Sequence, residues 1–338
     1  VSAEPLLDTL VVGAGLGGLA CARDLQAAGE RVRVLDKSRG VSGRASTRRL
    51  PLQGGPEARL DHGARFFTVR HERTRDLAAR GVQAGWLGEW ARGFARWDGG
   101  TLQEAHPDGH PRYVPLDGMS ALGRHLAGGL DVQTAVTVTR LERQDGAWQV
   151  SDATGPLARA RRVVLNLPVP QLGPLLAGVG QDAPGPVEYA PAWAVGAVLK
   201  ADLRADWPAL ELRGHPALEW IAREHTKRRP GHPPALMLHA SADWSAANLE
   251  RPPEDIVPEL LDAASGVLGE TLDVLEAFAH RWRYATLRRR VPAPGHWDAE
   301  LGLGICGDGF TPDDHGPRVE AALLSGWWVA AQATGRAP

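Results

Sequence analysis

The sequence predicts an α/β protein: a Rossmann-type dinucleotide-binding domain joined to a second domain made of a mostly antiparallel sheet and a helix. Three observations predict it. An apolar run at residues 9–12 meets the turn Gly13-Ala14-Gly15-Leu16-Gly17-Gly18, then a helical spacing of Leu19, Ala22 and Leu25, then a second run at 31–35 that ends in Asp36. Between Trp193 and Tyr284 lie four strand-like runs and one amphipathic stretch, Pro253–Leu268. The last segment returns to the first style, with a strand at 301–306, the turn Gly307-Asp308-Gly309 and a helix of small residues at 318–331.

Each part of the first unit has a physical reason. Gly13 permits a tight turn, Gly15 lets backbone N–H groups approach a pyrophosphate, Leu16 opens the helix, and Gly18 lets helix and strand pack closely. The helix N-terminus carries partial positive charge. Asp36 can accept both hydroxyls of an adenosine ribose, and its charge repels a 2′-phosphate. The Gly-, Ser- and Arg-rich loop 37–49 reads either as solvated or as a second phosphate clamp, since Arg offers phosphate a planar donor fork. Gly63, in Asp61-His62-Gly63-Ala64, is expected to let backbone approach a flat ligand.

Further along, a helix is expected at 119–130 and strands at 132–141, 148–151 and 162–167, with Asp145-Gly146 as a hairpin turn and Pro168 and Pro170 ending the last run. The second domain's strands are expected at 194–200, Leu218–Arg223, Ala235–Ala240 and 278–284. Residues 1–75, 116–175 and 295–338 are assigned to the first domain, and 76–115 and 176–294 to the second.

Composition narrows the function. A formal charge of -2 in 338 residues argues against nucleic acid or a membrane surface as partner. No apolar run of about 20 residues is present, and the first apolar stretch is needed as a strand, not as a leader. Cys21 and Cys306 are the only cysteines, which fits a reducing compartment, and a cytoplasmic location is expected. His106 and His110 have ligand spacing, but Pro107 and Gly109 stand between them, and no metal site is expected. Lys227-Arg228-Arg229 and Arg288-Arg289-Arg290 read as solvated charge, the second run alternatively as a receiver of substrate phosphates. Twelve Trp against 5 Phe and 3 Tyr suits either core packing or a flat aromatic pocket.

Gly307-Asp308 echoes the first glycine turn. Its acid can hold a polyol hydroxyl, and the helix that follows favours negative charge, so two nucleotide-facing turns suggest FAD rather than NAD. Cys306 lies inside a predicted strand, a poor place for a bond to the flavin, and the FAD is expected to be noncovalent.

The chain resembles the renalase-like branch of the amine-oxidase and protoporphyrinogen-oxidase flavoproteins. The likeness rests on Val11-Val12-Gly13-Ala14-Gly15-Leu16, Asp36-Lys37-Ser38-Arg39-Gly40, Gly43-Arg44-Ala45-Ser46-Thr47-Arg48, Asp61-His62-Gly63-Ala64 and Leu116-Asp117-Gly118-Met119-Ser120. Farther along it rests on Glu219-Trp220-Ile221-Ala222-Arg223-Glu224, His239-Ala240-Ser241-Ala242-Asp243-Trp244-Ser245, His280-Arg281-Trp282-Arg283-Tyr284, and Gly307-Asp308 with Pro317-Arg318-Val319-Glu320. The resemblance implies that Gly13, Gly15, Gly18, Asp36, Lys37 and Arg44 hold the ADP half of FAD, and that Val138 meets adenine through its backbone. It further places Gly63 and Ala64 beside the isoalloxazine, Asp308 at the ribityl and pyrophosphate, and Val319 at the pyrimidine edge. Two departures stand out: Ser42 takes the place of the first of two glycines before Arg44, and Arg65 stands where the family has Gln.

The activity implied is oxidation of isomeric (2- or 6-) dihydronicotinamide dinucleotides to NAD(P)+, with molecular oxygen reduced to hydrogen peroxide. Hydride loss from such a substrate needs no general base, in keeping with the lack of a Ser-His-Asp or paired-carboxylate arrangement. Trp220, His239, Trp282 and Tyr284 are the substrate-facing candidates, Trp282 and Tyr284 being two apart on one strand face. A flavin amine oxidase is the alternative enzyme; such enzymes place a lysine near the flavin, and of Lys37, Lys200 and Lys227 only Lys200 is left free for it. A flavin-binding scaffold or sensor without turnover is the alternative from another class.

Overall fold

A computed structural model describes residues 6–52, 54–311 and 318–336, so Pro317 of the last motif lies outside the described residues. β1 (Leu7–Val12), α1 (Leu16–Ala27) and β2 (Val32–Leu35) form the predicted unit, with β1 and β2 parallel. β3 (Arg48–Leu50) and β4 (Ala58–Leu60) make a small hairpin. The stretch up to residue 115 holds α2 (Glu72–Gln83), β5 (Leu87–Ala91), β6 (Ala95–Asp98), β7 (Thr101–Gln103) and β8 (Arg112–Pro115).

α3 (Ser120–Ala127) is shorter than the sequence suggests, and the single run expected at 132–141 is two strands, β9 (Asp131–Gln133) and β10 (Arg140–Gln144). β10 turns back into β11 (Ala147–Ser151) through Asp145 and Gly146, whose φ of +50° and +74° suit a primed hairpin turn. β12 (Pro156–Leu165) begins earlier than expected and leads through α4 (Gly173–Ala177) to β13 (Glu188–Leu199). Then follow β14 (Ala209–Arg213), β15 (Leu218–Arg223), β16 (Ala235–Ala240), α5 (Ala242–Ala247) and α6 (Pro253–Leu268). β17 (Val274–Arg289), β18 (His296–Asp298), β19 (Leu303–Ile305) and α7 (Arg318–Thr334) complete the described chain.

Two large sheets result. The first has a parallel centre, β19-β12-β1-β2-β9. One face packs Val11, Val34 and Val164 against α1, α3 and α7; the other packs Leu10, Val163 and Leu165 against α4. The second sheet, β17-β13-β16-β15-β14-β6-β7, is antiparallel except where β14 meets β6. Its strands alternate between two faces, with bulges in β13 and at Leu218/Trp220 of β15. Val195, Ile221, Leu236 and Leu238 face Ile256 and Leu260 of α6, whereas Ala194, Trp220, Met237 and Phe278 face Leu50 and Leu60 of the β3–β4 hairpin. The hairpin and the segment after it therefore lie against the second sheet's inner face. No helix among the described residues is long and apolar enough to cross a membrane.

Candidate active site

The glycine turn closes on a residue the sequence reading passes over. Gly13 has a φ of +105°, which a side chain would strain, and a Cβ at Gly13, Gly15 or Gly18 would meet Asn166 at 2.3, 2.7 or 3.0 Å. The Asn166 amide also donates to Gly13 O at 3.2 Å. Asn166 follows the apolar end of β12, where an amide after a buried strand was the available signal. Asp36 is buried and accepts from Ala14 N at 2.6 Å and Ser38 N at 2.7 Å. A carboxylate has about four lone-pair sites, so two remain for ribose hydroxyls. Gly15 caps α1 without a side chain and no acid stands in its first turn, which leaves the helix-start N–H groups for an anion. Leu16 is buried behind them, and Lys37 reaches Gln171 at 3.2 Å on the surface. This turn fits the ADP half of FAD.

Arg44 and Asp308 are brought together. Arg44 donates to Asp308 Oδ1 at 2.5 Å and to Tyr284 O at 3.1 Å, and stacks 5.4 Å over Tyr189. Burial works against its charge, but Asp308 outweighs that and holds the guanidinium above its ordinary value. Burial, then Asp308, pushes Tyr189 up to about 12. Val319 is buried in the first turn of α7. One expectation needs correction. Val138 is not in a strand: it lies in the loop between β9 and β10, half-buried against the first sheet's apolar core. At Gly63 the close approach is to protein backbone as well: a Cβ there would clash with Arg44 O, the carbonyl that accepts from Ala64 N at 2.8 Å.

The inner face of the second sheet supplies Trp220 from β15, His239 from β16, and His280 and Trp282 from β17. Opposite them is His62, two residues past β4. Trp282 Nε1 donates to His62 O at 2.7 Å, and the two rings stack at 5.5 Å and 16°. The His280 ring lies 4.6 Å from His62. Ser46 Oγ holds His62 Nε2 at 3.1 Å. Burial, then His280, pushes His62 down to about 4; burial does the same in direction for His280. His239 falls well below its ordinary value through burial and the charges of Arg65 and Lys227. Three neutral imidazoles thus share the site. His62 Nδ1, both ring nitrogens of His239 and Trp220 Nε1 are buried without a hydrogen bond of normal geometry, although His62 approaches the Leu60 backbone and His239 the His62 backbone. Tyr284 joins a different group: its ring packs on Tyr189 at 5.8 Å, beside Arg44. Arg65 pairs with Glu219 and lies 4.9 Å over Trp220, so the charge introduced at this position is partnered.

Lys227 and Arg228 are not solvated. Both are buried, with Asp61 and Glu224, in a four-charge cluster. Lys227 meets Glu224 at 2.6 Å and Asp61 at 3.5 Å; Arg228 meets Asp61 at 2.6 Å and Glu224 at 3.2 Å. Asp61 also accepts from Thr47 Oγ1 at 2.7 Å and Met119 N at 2.8 Å, while its own N–H donates to Glu224 at 2.9 Å. Burial would raise Asp61, but Arg228 and Lys227 hold it below the usual range; for Glu224 burial wins and the shift is upward. Lys200, the lysine the sequence left free, is exposed and pairs with Asp273 at 3.4 Å. Arg288 is also exposed, 3.8 Å from Asp243. His106 and His110 are exposed, and among the described residues no group of three His, Cys, Asp or Glu is placed to hold a metal. An open cleft of about 450 Å³ between Arg143, Arg162, Trp297 and Leu301 lies at the opposite, N-terminal ends of β12 and β19. Ligands of open α/β sheets sit at the C-terminal ends, where Gly13, Asp36 and Asp308 are.

Residues 11–80 match the NAD(P)-binding Rossmann-like domain, and residues 80–333 match the flavin containing amine oxidoreductase model. The chain is 23% identical to renalase of Mus musculus over 93% of its own length and 96% of the mouse protein's. Among solved structures it is similar to cyclohexylamine oxidase of Brevibacterium oxydans IH-35A, with a TM-score of 0.69 at 12% identity over 98% of this chain and 99% of that one. It is also similar to a putrescine oxidase bound to putrescine, with a TM-score of 0.69 at 15% identity over 98% and 100%.

Proposed function

Because this chain belongs to the flavin containing amine oxidoreductase family and is an FAD-dependent oxidoreductase, we propose that it oxidises 2- or 6-dihydronicotinamide dinucleotides to NAD(P)+, with oxygen as electron acceptor. The cofactor is noncovalent; both cysteines are buried, Cys21 in α1 and Cys306 at the end of β19. We assign FAD binding to Gly13, Gly15, Leu16, Gly18, Asp36, Lys37 and Arg44 at one end, and to Gly63, Ala64, Asp308 and Val319 at the other, with Val138 beside the adenine. Bound FAD would accept the hydride, and oxygen would then take the electron pair together with two protons to leave as hydrogen peroxide.

One observation carries the substrate: among the described residues the site is a group of neutral imidazoles and indoles whose neighbouring carboxylates are all paired. Glu219 is bound by Arg65, and Asp61 and Glu224 by Lys227 and Arg228. A protonated amine would enter such a site unpartnered. A flat neutral dihydropyridine suits it, and hydride loss makes the pyridinium without removing a proton, so weakly basic histidines are no obstacle. The chain's residues have the tasks of holding the ring flat, through Trp282 and His62, and of excluding water. Anaerobic stopped-flow mixing tests the reading. Flavin bleaching is expected to be fast with the 2- and 6-dihydro isomers and much slower with 4-dihydroNAD(P)H and with primary amines. Faster bleaching by an amine or by 4-dihydroNAD(P)H would overturn it.

A further inference from the structure

Two of the unpartnered groups are direct neighbours. Trp220 and His239 face each other across the β15–β16 ladder, on the inner face of the sheet. The pair stands next to a register shift between Leu218 and Trp220, where the bulge re-aims the Trp220 side chain on the face it shares with His239, so that one small group can meet both. Trp220 is 2% exposed and His239 is 4% exposed. Trp220 Nε1 has no hydrogen-bond partner, and His239 makes no hydrogen bond of normal geometry, approaching only the His62 backbone. A buried polar atom without a protein partner calls for a water or a ligand group, since leaving it unbonded would cost about 1–3 kcal/mol. By contrast, the indole N–H groups of Trp282, Trp148, Trp193 and Trp90 all have acceptors. Trp220 is the indole whose N–H is fully buried yet unbonded, beside a histidine that keeps a nitrogen open.

The donor pattern identifies the missing partner. An indole N–H only donates; a neutral imidazole donates from one nitrogen and accepts at the other. A carboxylate offers nothing to the imidazole lone pair. An ammonium has no acceptor for the indole. A primary carboxamide satisfies both, its C=O accepting from Trp220 and its NH2 donating to His239. We propose that Trp220 and His239 form the carboxamide-recognition pair of the substrate site. This rests on the dihydronicotinamide reading above and names the feature of that substrate the protein reads. Arg65 and Lys227 near His239 disfavour its protonation and so preserve the lone pair. Arg65 over Trp220 is tied to Glu219 and does not compete for the indole N–H.

The test uses the FAD-loaded enzyme and reads dinucleotide binding from the perturbation of the flavin absorbance, with anaerobic reduction by 2- and 6-dihydroNAD measured alongside. The probes are NAD+ and its 3-acetylpyridine analogue, whose ketone accepts but cannot donate. The wild-type enzyme is expected to prefer NAD+ by tenfold or more. His239→Leu should erase that preference, His239→Gln, which keeps an acceptor and a donor, should restore most of it, and Trp220→Phe should weaken both probes alike. A wild-type preference that survives in His239→Leu, while the isomers still reduce the enzyme, would overturn the pair and leave the functional reading standing. Failure of the wild-type enzyme to be reduced by either isomer or perturbed by either probe would overturn both. A variant that retains its full flavin complement and absorbance spectrum is folded, so loss of preference there reports recognition.

Discussion

Asp61 and His62 are consecutive residues, both buried, yet they belong to opposite kinds of polar interior. Asp61 accepts from Thr47, Met119, Lys227 and Arg228, and its cluster answers two buried acids with two buried bases. His62 leaves Nδ1 open and faces a sheet on which Trp220 and His239 are open too. A buried network whose charges are all paired fixes geometry, and here even Glu224 Oε1, which makes no regular hydrogen bond, meets Lys227 Nζ at 2.6 Å; a buried polar group with neither is under pressure to find a ligand. The first group joins the segment after β4 to the turn after β15, and so sets the separation across the second. The scaffold and the site it holds are thus told apart by charge pairing, since burial is the same in both.

The largest effect should come from breaking the satisfied group. Asp61→Ala strips Arg228 and Lys227 of a shared acceptor and leaves positive charge buried in excess; removing one partner of a buried pair costs about 3–5 kcal/mol. His239→Leu removes at most a weak contact with the His62 backbone and replaces a polar ring by an apolar one, so it should change stability by no more than about 1 kcal/mol in either direction. Urea unfolding of the two holoproteins compares them. Equal losses would abolish the distinction between scaffold and site.

Acid sharpens the same contrast. His62 titrates at about 4 in the folded protein against an ordinary 6.5, and His239 and His280 shift the same way. Between those pH values the unfolded chain binds protons that the folded chain refuses. Stability contributed by the depressed histidines is therefore complete above pH 6.5 and falls as pH drops toward 4, with a slope of up to about 1.4 kcal/mol per pH unit for each histidine. Urea midpoints should decline from pH 7.5 to pH 5, and His239→Leu should flatten the decline. A midpoint independent of pH over that range would show that these rings are solvated.

The legible parts of the molecule are those whose causes are local. The glycine turn and its acid, the Asp145-Gly146 hairpin, the helix Pro253–Leu268 and the strands Leu218–Arg223 and Ala235–Ala240 all follow from spacing and turn chemistry, and the structure has them. α2 escaped because it buries Thr74, Ala78 and Gly81, small residues that leave no apolar stripe in the sequence. The burial of Lys227 and Arg228 depends on Asp61, more than 160 residues away, and a run of three cations gives no hint of it. Glu224, three and four residues before them, was the one local clue, since that spacing pairs charges on a helical turn. Tyr284 was assigned to the Trp282 pocket from strand alternation alone, but its ring is claimed by Tyr189 from the neighbouring strand.

The smallest effect concerns Ser42, a departure from the family's glycine that the backbone explains. Ser42 has a φ of +95°, sits fully buried against the glycine turn, and donates its N–H to Ala14 O at 2.8 Å. Its Oγ is unpartnered, so by the argument from satisfaction alone it would count as a ligand site. Geometry says otherwise: Gly123 has no room for a side chain because its Cβ would lie 2.5 Å from Ser42 Cβ, so the hydroxyl is wedged against protein. Strain at such a φ costs about 1–3 kcal/mol, and glycine recovers it less the roughly 0.5–1 kcal/mol it loses in chain entropy. Ser42→Gly should therefore stabilise the holoprotein by about 1 kcal/mol. Ser42→Ala keeps the Cβ and the strained φ while deleting the hydroxyl. If strain is the cause, the urea midpoint rises more for glycine than for alanine, and FAD stays bound in both. An alanine variant that gains as much as the glycine one would place the cost in the dry hydroxyl, returning Ser42 to the same class as His239 and Trp220.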